Sequence, residues 1–342
     1  GGGSIGWADS GGALRVGPRS AGAFPGPASY GRGGTEAAVT DANLALGRIP
    51  AGARLAGSVP LDREAALGAL ERLGGQIGLH PLETAEGVVE VVEAHMERAV
   101  RTVSVEEGAD PRPARLVAFG GAGGLHAVAL ARRLEMRGVV VPPFAGVFSA
   151  VGLLLAPPRH DAATSVHLDA DDEMALDRAV GAVGGEAEHG LLGMGVRPEA
   201  TVTSVDVRYR GQAHETSVPY DVGAGWVALA NDFHRRHEAR NGFARPDDPI
   251  EVVTVRASAV GRPAMQWSDL PEVRPDGDAE AGTIEVRLDG VTQEVRRIRR
   301  AGLGTGDAIE GPAVVVEGEA TTLLAPGDRA IVHESGALEV SW

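Results

Sequence analysis

The 342 residues carry a net charge of −15, and the acidic side chains are spread along the chain rather than gathered in blocks. That balance argues against contact with a phosphate backbone, which needs concentrated positive charge, so nucleic acid is not an expected partner. With neither cysteine nor lysine in the chain, disulfides, thiolate nucleophiles, a Walker A loop and Schiff-base chemistry are excluded, because each needs a thiol or an amine.

A chain of this length outgrows a single core, so at least two domains are expected. Aromatic residues make up only 4% of a 43% hydrophobic content, which implies cores built from Leu, Val and Ala. No stretch of about 18 apolar residues occurs, which argues against a membrane-spanning helix. No charged leader precedes an apolar run either, and the cytoplasm is the expected location. The sequence opens Gly1-Gly2-Gly3-Ser4 with no Met, which reads as a linker scar, a fragment or a processed subunit.

Two short apolar runs, Ile5–Trp7 and Leu14–Val16, flank Asp9-Ser10-Gly11-Gly12 and predict a hairpin. The Gly- and Pro-rich residues 20–34 then predict an ordered surface loop. Thr40 or Asp41 reads as the N-cap of a short helix through Leu46, with a ligand role as the second reading of Asp41. Two helices follow, over 61–73 and 84–104. The second presents Val88, Val92, Met96, Val100 and Val103 as one stripe, with Glu97 and Arg101 paired outside it.

Next comes an alternation of strand 116–119, glycine turn 120–124, helix 125–134, strand 139–141 and helix 147–155, the signature of an α/β fold. Residues 156–161 (Ala-Pro-Pro-Arg-His-Asp) break the rhythm, which places a domain boundary there. Beyond it the pattern predicts a helix over 172–193, strands over 201–210 and 214–220, a helix over 225–241 and a strand over 250–261. Short β-runs from 283 to 340 then suggest a small barrel or sandwich.

The strongest local signal for function is Phe119-Gly120-Gly121-Ala122-Gly123-Gly124-Leu125-His126. Glycines between a strand and a helix let a ligand approach bare backbone and aim N–H groups and the helix dipole at negative charge. The competing reading is that they only permit close helix–strand packing. A dinucleotide fingerprint would need Gly where His126 stands and an acid about twenty residues on. No Asp or Glu lies between Glu135 and Asp161. His126 itself is either a core histidine or a ligand contact. His234 and His237 have a spacing able to ligate metal, but no HExxH pattern supports it. His160-Asp161 is either a catalytic dyad or an interdomain hydrogen bond.

Longer strings carry a resemblance. Gly1–Trp7 (GGGSIGW), Val16–Gly34, Val39–Arg48, Val103–Arg112, Val117–Ala127 (VAFGGAGGLHA) and Val141–Leu154 resemble the hydantoinase A/oxoprolinase family. Arg208–Glu215 (RYRGQAHE) and Gly311–Thr322 resemble its C-terminal domain, also seen in acetone and acetophenone carboxylases. Phe24, Ser29 and Gly124 stand where the family commonly has an acid, Cys and Pro.

The resemblance implies an α/β fold, part of the second half of an actin-like ATPase core over residues 1–160. A smaller α+β domain with a β-rich tail is expected to follow over 161–342. It implies ATP with Mg2+ as cofactors and Gly2, Gly3, Ser4, Gly120, Gly121, Gly123, Gly124 and His126 as the cofactor-binding residues, with no resident metal site. The implied activity is ATP-dependent hydrolysis of a cyclic amide. Ketone carboxylation and a non-catalytic scaffold are the alternatives. Expected partners are the N-terminal half of the A subunit, where the family's phosphate motifs lie, a B-type subunit, a small-molecule substrate and further copies in an oligomer.

Overall fold

The computed structural model describes residues 2–55, 59–272 and 274–342. The Asp9 carboxylate closes the first turn by accepting the amides of Gly11 (3.0 Å) and Ala13 (2.9 Å). Ser4–Ala8 (β1) and Leu14–Ser20 (β2) therefore pair as the expected antiparallel hairpin.

The loop that follows lies at the surface over residues 22–25 and 31–33, as its composition predicts, but its middle, Gly26–Ser29, is buried. The cause is Asp41, itself fully buried. Its carboxylate accepts the amides of Ala28 (3.1 Å), Ser29 (2.8 Å) and Ala38 (2.8 Å), pulling the loop inward. Bonds of this kind to an ionised acceptor are among the stronger ones. Helix α1 (Val39–Ala45) is capped at Ala38, so Asp41 is not the N-cap; it sits at the third helical position and reaches back to the cap amide.

Arg54–Leu55 (β3) and Val59–Pro60 (β4) pair briefly. Helix α2 (Arg63–Ile77) starts at Asp62, whose side chain accepts the Ala65 amide at 3.0 Å. Helix α3 (Pro81–Thr102) starts with proline, and Glu83 accepts the His80 amide at 2.9 Å. The predicted stripe on α3 holds for Val88 and Val92, which join Leu70 and Leu73 of α2 and Val16 of β2 in one core. It fails at Val103, which is exposed at the helix end.

Arg115–Val117 (β5), α4 (Gly123–Arg133), Gly138–Val141 (β6) and α5 (Phe148–Leu155) keep the predicted alternation, and β5 and β6 run parallel. The supposed break after α5 contains a strand instead, Arg159–Leu168 (β7). Helix α6 (Glu173–Gly193), Pro198–Tyr209 (β8), Thr216–Pro219 (β9), α7 (Trp226–Asn241) and Ile250–Gly261 (β10) then follow close to the expected bounds. An antiparallel sheet in the order β7-β10-β8-β9 carries a core of Leu176, Val180, Val205, Val207, Phe233 and Val255.

The C-terminal run comprises Glu280–Leu288 (β11), Val291–Arg299 (β12), Ala308–Glu310 (β13), Ala313–Val316 (β14), Thr321–Leu324 (β15), Arg329–Val332 (β16) and Leu338–Ser341 (β17). It is not a free-standing barrel. One sheet runs β11-β12-β14-β15, while β13, β16 and β17 extend the sheet of β6 and β5. Leu338, Glu339 and Val340 pair with Val141, Val140 and Val139.

The chain accordingly divides into one unit of Gly1–Val151 with Pro271–Trp342 and a second of Gly152–Leu270. This differs from the expected contiguous segments 1–160 and 161–342. The reason is physical: β6 offers a second edge, and the strand that satisfies its backbone lies some 200 residues away.

Candidate functional site

The glycine turn forms between β5 and α4 because Gly120 takes φ +84°, an angle that L side chains rarely adopt. Its amide donates to the Ala145 carbonyl at 2.7 Å, which fixes the turn to the loop after β6. Gly123 opens α4, and a Cβ built there would meet nothing nearer than Ala118 C at 3.7 Å. The backbone is therefore bare on the side facing a cavity of about 420 Å3, bordered by Gly2, Phe119, Gly120, Gly121, Gly123 and His126.

Gly2 and Gly3 reach the same region from the far end of the sequence. The Thr40 amide and Oγ1 donate to the Gly2 carbonyl at 2.8 and 3.0 Å, which seats the chain start against α1. A Cβ on Gly2 would lie 2.5 Å from Thr40 Oγ1, and one on Gly3 would lie 2.8 Å from Ser20 Oγ. A second cavity, of about 530 Å3, is bordered by Gly2, Gly3, Thr40, Gly121, Arg297 and Glu319. Gly2 and Gly121 line both spaces.

Two of the expected cofactor-binding residues line neither cavity. Ser4 is spent in the hairpin, paired with Ser20. Gly124 is buried against β15, where a Cβ would stand 2.5 Å from Thr322 Oγ1 and 2.7 Å from the Thr321 carbonyl. Packing therefore excludes a side chain at Gly124 and crowds one at Gly121, where a Cβ would stand 3.0 Å from the Glu319 carbonyl, whereas Gly123 is open.

His126 is a buried histidine whose ring borders the first cavity. It is 2% exposed, and its Nδ1 stands 3.1 Å from Glu93 Oε1. Arg133 Nη2 donates to the other oxygen of Glu93 at 3.3 Å. The His126 Nε2 has no hydrogen-bond partner among the described residues, although the ring borders the first cavity. In the tautomer that donates Nδ1–H to Glu93, Nε2 is the acceptor nitrogen. Glu93 was not singled out from the sequence. Its signal is a lone acid four residues after Val89 and three before Met96, within the apolar face of α3.

The remaining candidates are structural. His234 Nδ1 lies 2.8 Å from Tyr209 Oη, and that oxygen accepts the Arg245 amide at 2.7 Å. His237 Nδ1 lies 2.8 Å from the Phe243 carbonyl. Burial holds the His234 pKa below the ordinary imidazole value. His160 and Asp161 are successive strand residues, which point to opposite faces of a sheet and cannot act as a dyad. Asp161 instead accepts from Arg159 at 2.6 Å and from the Ser258 hydroxyl, both in its own unit. The Ser258 and Arg159 bonds hold its carboxyl below the usual range. No cluster of three or more His, Asp or Glu side chains able to hold a metal occurs among the described residues.

A mixed α/β scaffold thus gathers two distant glycine segments around adjoining cavities. Residues 1–162 match the hydantoinase/oxoprolinase family model. It is 38% identical over 347 residues to an uncharacterized protein of Methanocaldococcus jannaschii, covering 99% of this chain and 50% of that protein. It is 34% identical over 359 residues to caprolactamase subunit alpha of Pseudomonas jessenii, covering 100% of this chain and 51% of the relative. The crystal structure of the ATP-dependent caprolactamase from that organism superposes with a TM-score of 0.78 over 100% of this chain and 52% of that one. Nucleotide-free acetone carboxylase also gives a TM-score of 0.78, over 99% of this chain and 51% of that chain, but at 20% identity the likeness is one of fold. The chain thus spans about half the length of these relatives. No helix among the described residues is long and apolar enough to cross a membrane.

Proposed function

We propose that this chain supplies the nucleotide-closing part of an ATP-dependent enzyme that hydrolyses cyclic amides, as in hydantoinases and 5-oxoprolinases. The observation that carries the reading is the meeting of Gly2 and Gly3 with the Gly120–Gly123 turn around adjoining cavities. The fold then corresponds to part of an actin-like ATPase core. The residues fit a nucleotide: the Gly121 and Ala122 amides have no acceptor among the described residues, the α4 dipole favours negative charge, and no Cβ blocks approach at Gly123.

An unactivated amide lacks a good leaving group, and ATP supplies one by phosphorylating the carbonyl oxygen. In this reading Gly121 and Gly123 bring backbone to the nucleotide, and His126 Nε2 accepts a proton donor from it. Mg2+ belongs to the same reading, and its protein ligands come from segments corresponding to the other half of the relatives. That half and a B-type subunit are the proposed partners, and the assembly is oligomeric. The relatives' names favour amide hydrolysis over ketone carboxylation, since caprolactamase and the 5-oxoprolinase 1 of Arabidopsis thaliana match at 34% and 30% identity.

The test is reconstitution. Combined with a chain corresponding to the relatives' other half, the protein should open 5-oxoproline or caprolactam with stoichiometric ATP consumption. Ring opening that proceeds unchanged without ATP, or a complex that binds no nucleotide, would overturn the reading.

A further inference from the structure

Pro142 and Pro143 lead from β6 into a third cavity, of about 450 Å3, walled in part by Phe144, Val147, Arg300, Val316 and Glu317. All of these residues belong to the first unit. The feature that stands out is Arg300, which is 4% exposed. A buried guanidinium is costly unless its charge is matched and its N–H groups are bonded. Its Nη2 donates to the Gly336 carbonyl, but Nε and Nη1 have no hydrogen-bond partner among the described residues.

The ion-pair partner of Arg300 does not make up the deficit. Glu317 stands 3.8 Å from Nε, beyond hydrogen-bond reach. Burial pushes the Glu317 carboxyl above its ordinary pKa and the Arg300 guanidinium below its own, the directions taken when two charges are poorly compensated. Of the other charged groups on the walls, Glu319 is exposed, and Arg299 donates to the carbonyls of Asp278 (3.3 Å) and Asp276 (3.1 Å). Arg300 is the cation left short of partners.

The walls are fixed in place. Phe144 is held at φ 60°, a conformation a non-glycine residue keeps only where its surroundings impose it. The Val147 amide donates to the Phe144 carbonyl at 2.9 Å. Gly146 sits so close to the Val316–Glu319 turn that a Cβ would lie 2.4 Å from Glu319 Cβ.

We propose that this cavity binds a small carboxylate-bearing molecule, with Arg300 holding the carboxylate and Phe144, Val147 and Val316 enclosing an apolar body. Its size suits a compact organic acid, and a carboxylate supplies the hydrogen-bond acceptor that Nε and Nη1 lack. The site is separate from the glycine turn and does not rest on the nucleotide reading.

Calorimetric titration of the full chain with pentanoate, and separately with pentanamide, tests it. The acid should bind in the millimolar range or better and at least about tenfold more tightly than the amide. Arg300→Gln should weaken pentanoate by at least about tenfold and leave pentanamide unchanged. Because that buried change can also unfold the chain, Val147→Trp at the half-exposed rim serves as the second variant. It should keep the melting temperature and abolish pentanoate binding. Equal affinity for acid and amide would mark a carbonyl site and overturn the proposal. It would equally fall if pentanoate produced no binding in the millimolar range, if a folded Val147→Trp chain kept full affinity, or if ATP competed with pentanoate.

Discussion

Gly123 and Gly124 are adjacent, identical in type and opposite in role. One faces open space at the start of α4; the other is pressed against Thr321 and Thr322. Gly123→Val should therefore leave the melting temperature close to that of the parent while abolishing ATP binding in the reconstituted enzyme. Gly124→Val should instead lose stability through overpacking, by about 1–3 kcal/mol or more, with nucleotide affinity falling only as folded protein is lost. Thermal melts and nucleotide titrations on both variants separate these outcomes, and unchanged affinity in a well-folded Gly123→Val chain would refute the nucleotide assignment. His126 shows the same division within one side chain, since Nδ1 is bound to Glu93 and Nε2 is left without a partner among the described residues. The residue types were legible as candidates. Which atom was free was not, because Glu93 approaches from a helix thirty-three residues earlier.

At the level of elements, Asp41 does more than begin a helix. Two of its three amide bonds join α1 to the buried part of the glycine-rich loop, and the third holds the cap of α1. Asp41→Ala should strand these donors, each costing about 1–3 kcal/mol when left unpaired inside. Chemical denaturation should then show a loss of at least about 3 kcal/mol, and a loss confined to a few tenths would mean the loop is held by other contacts. The middle of the loop looked exposed in sequence because Gly and Pro report backbone geometry rather than depth. The strand β7 was missed for a related reason. Its ten residues are largely exposed along a sheet edge, with Ala162 its one buried position, so no alternation of hydrophobicity marks it. Helix α6 and strand β10, whose apolar faces are packed, were found close to their true bounds.

The whole molecule depends on a connection that spans most of the chain. Strands β16 and β17 contribute Ala330, Val332, Leu338 and Val340 to the core that also holds Ala127, Ala131, Val139 and Val141. Truncation after residue 270 should therefore expose that core and strip β6 of its antiparallel neighbour, leaving residues 1–151 insoluble or without a cooperative melt. Residues 152–270 carry their own sheet and core and should fold when expressed alone. Circular dichroism and calorimetry on the two pieces test this directly. A cooperative transition of the 1–151 region in the truncated chain would refute the dependence.

By itself the sequence determined the local periodicities and thereby most helices and strands, the resemblance to the hydantoinase/oxoprolinase family, and the glycine segments that the fold brings to the cavities. Those follow from interactions within a few residues: apolar spacing, caps, and backbone angles open only to glycine. Tertiary structure alone decided which glycines are bare and which are packed, that Asp41 buries the middle of a loop, that β17 completes the sheet of β6, and that Arg300 is left short of partners. Each of these depends on a contact between residues far apart in the chain. Periodicity carries no information about such contacts, because the same local pattern is compatible with many partners, and only closure of the backbone and core selects one.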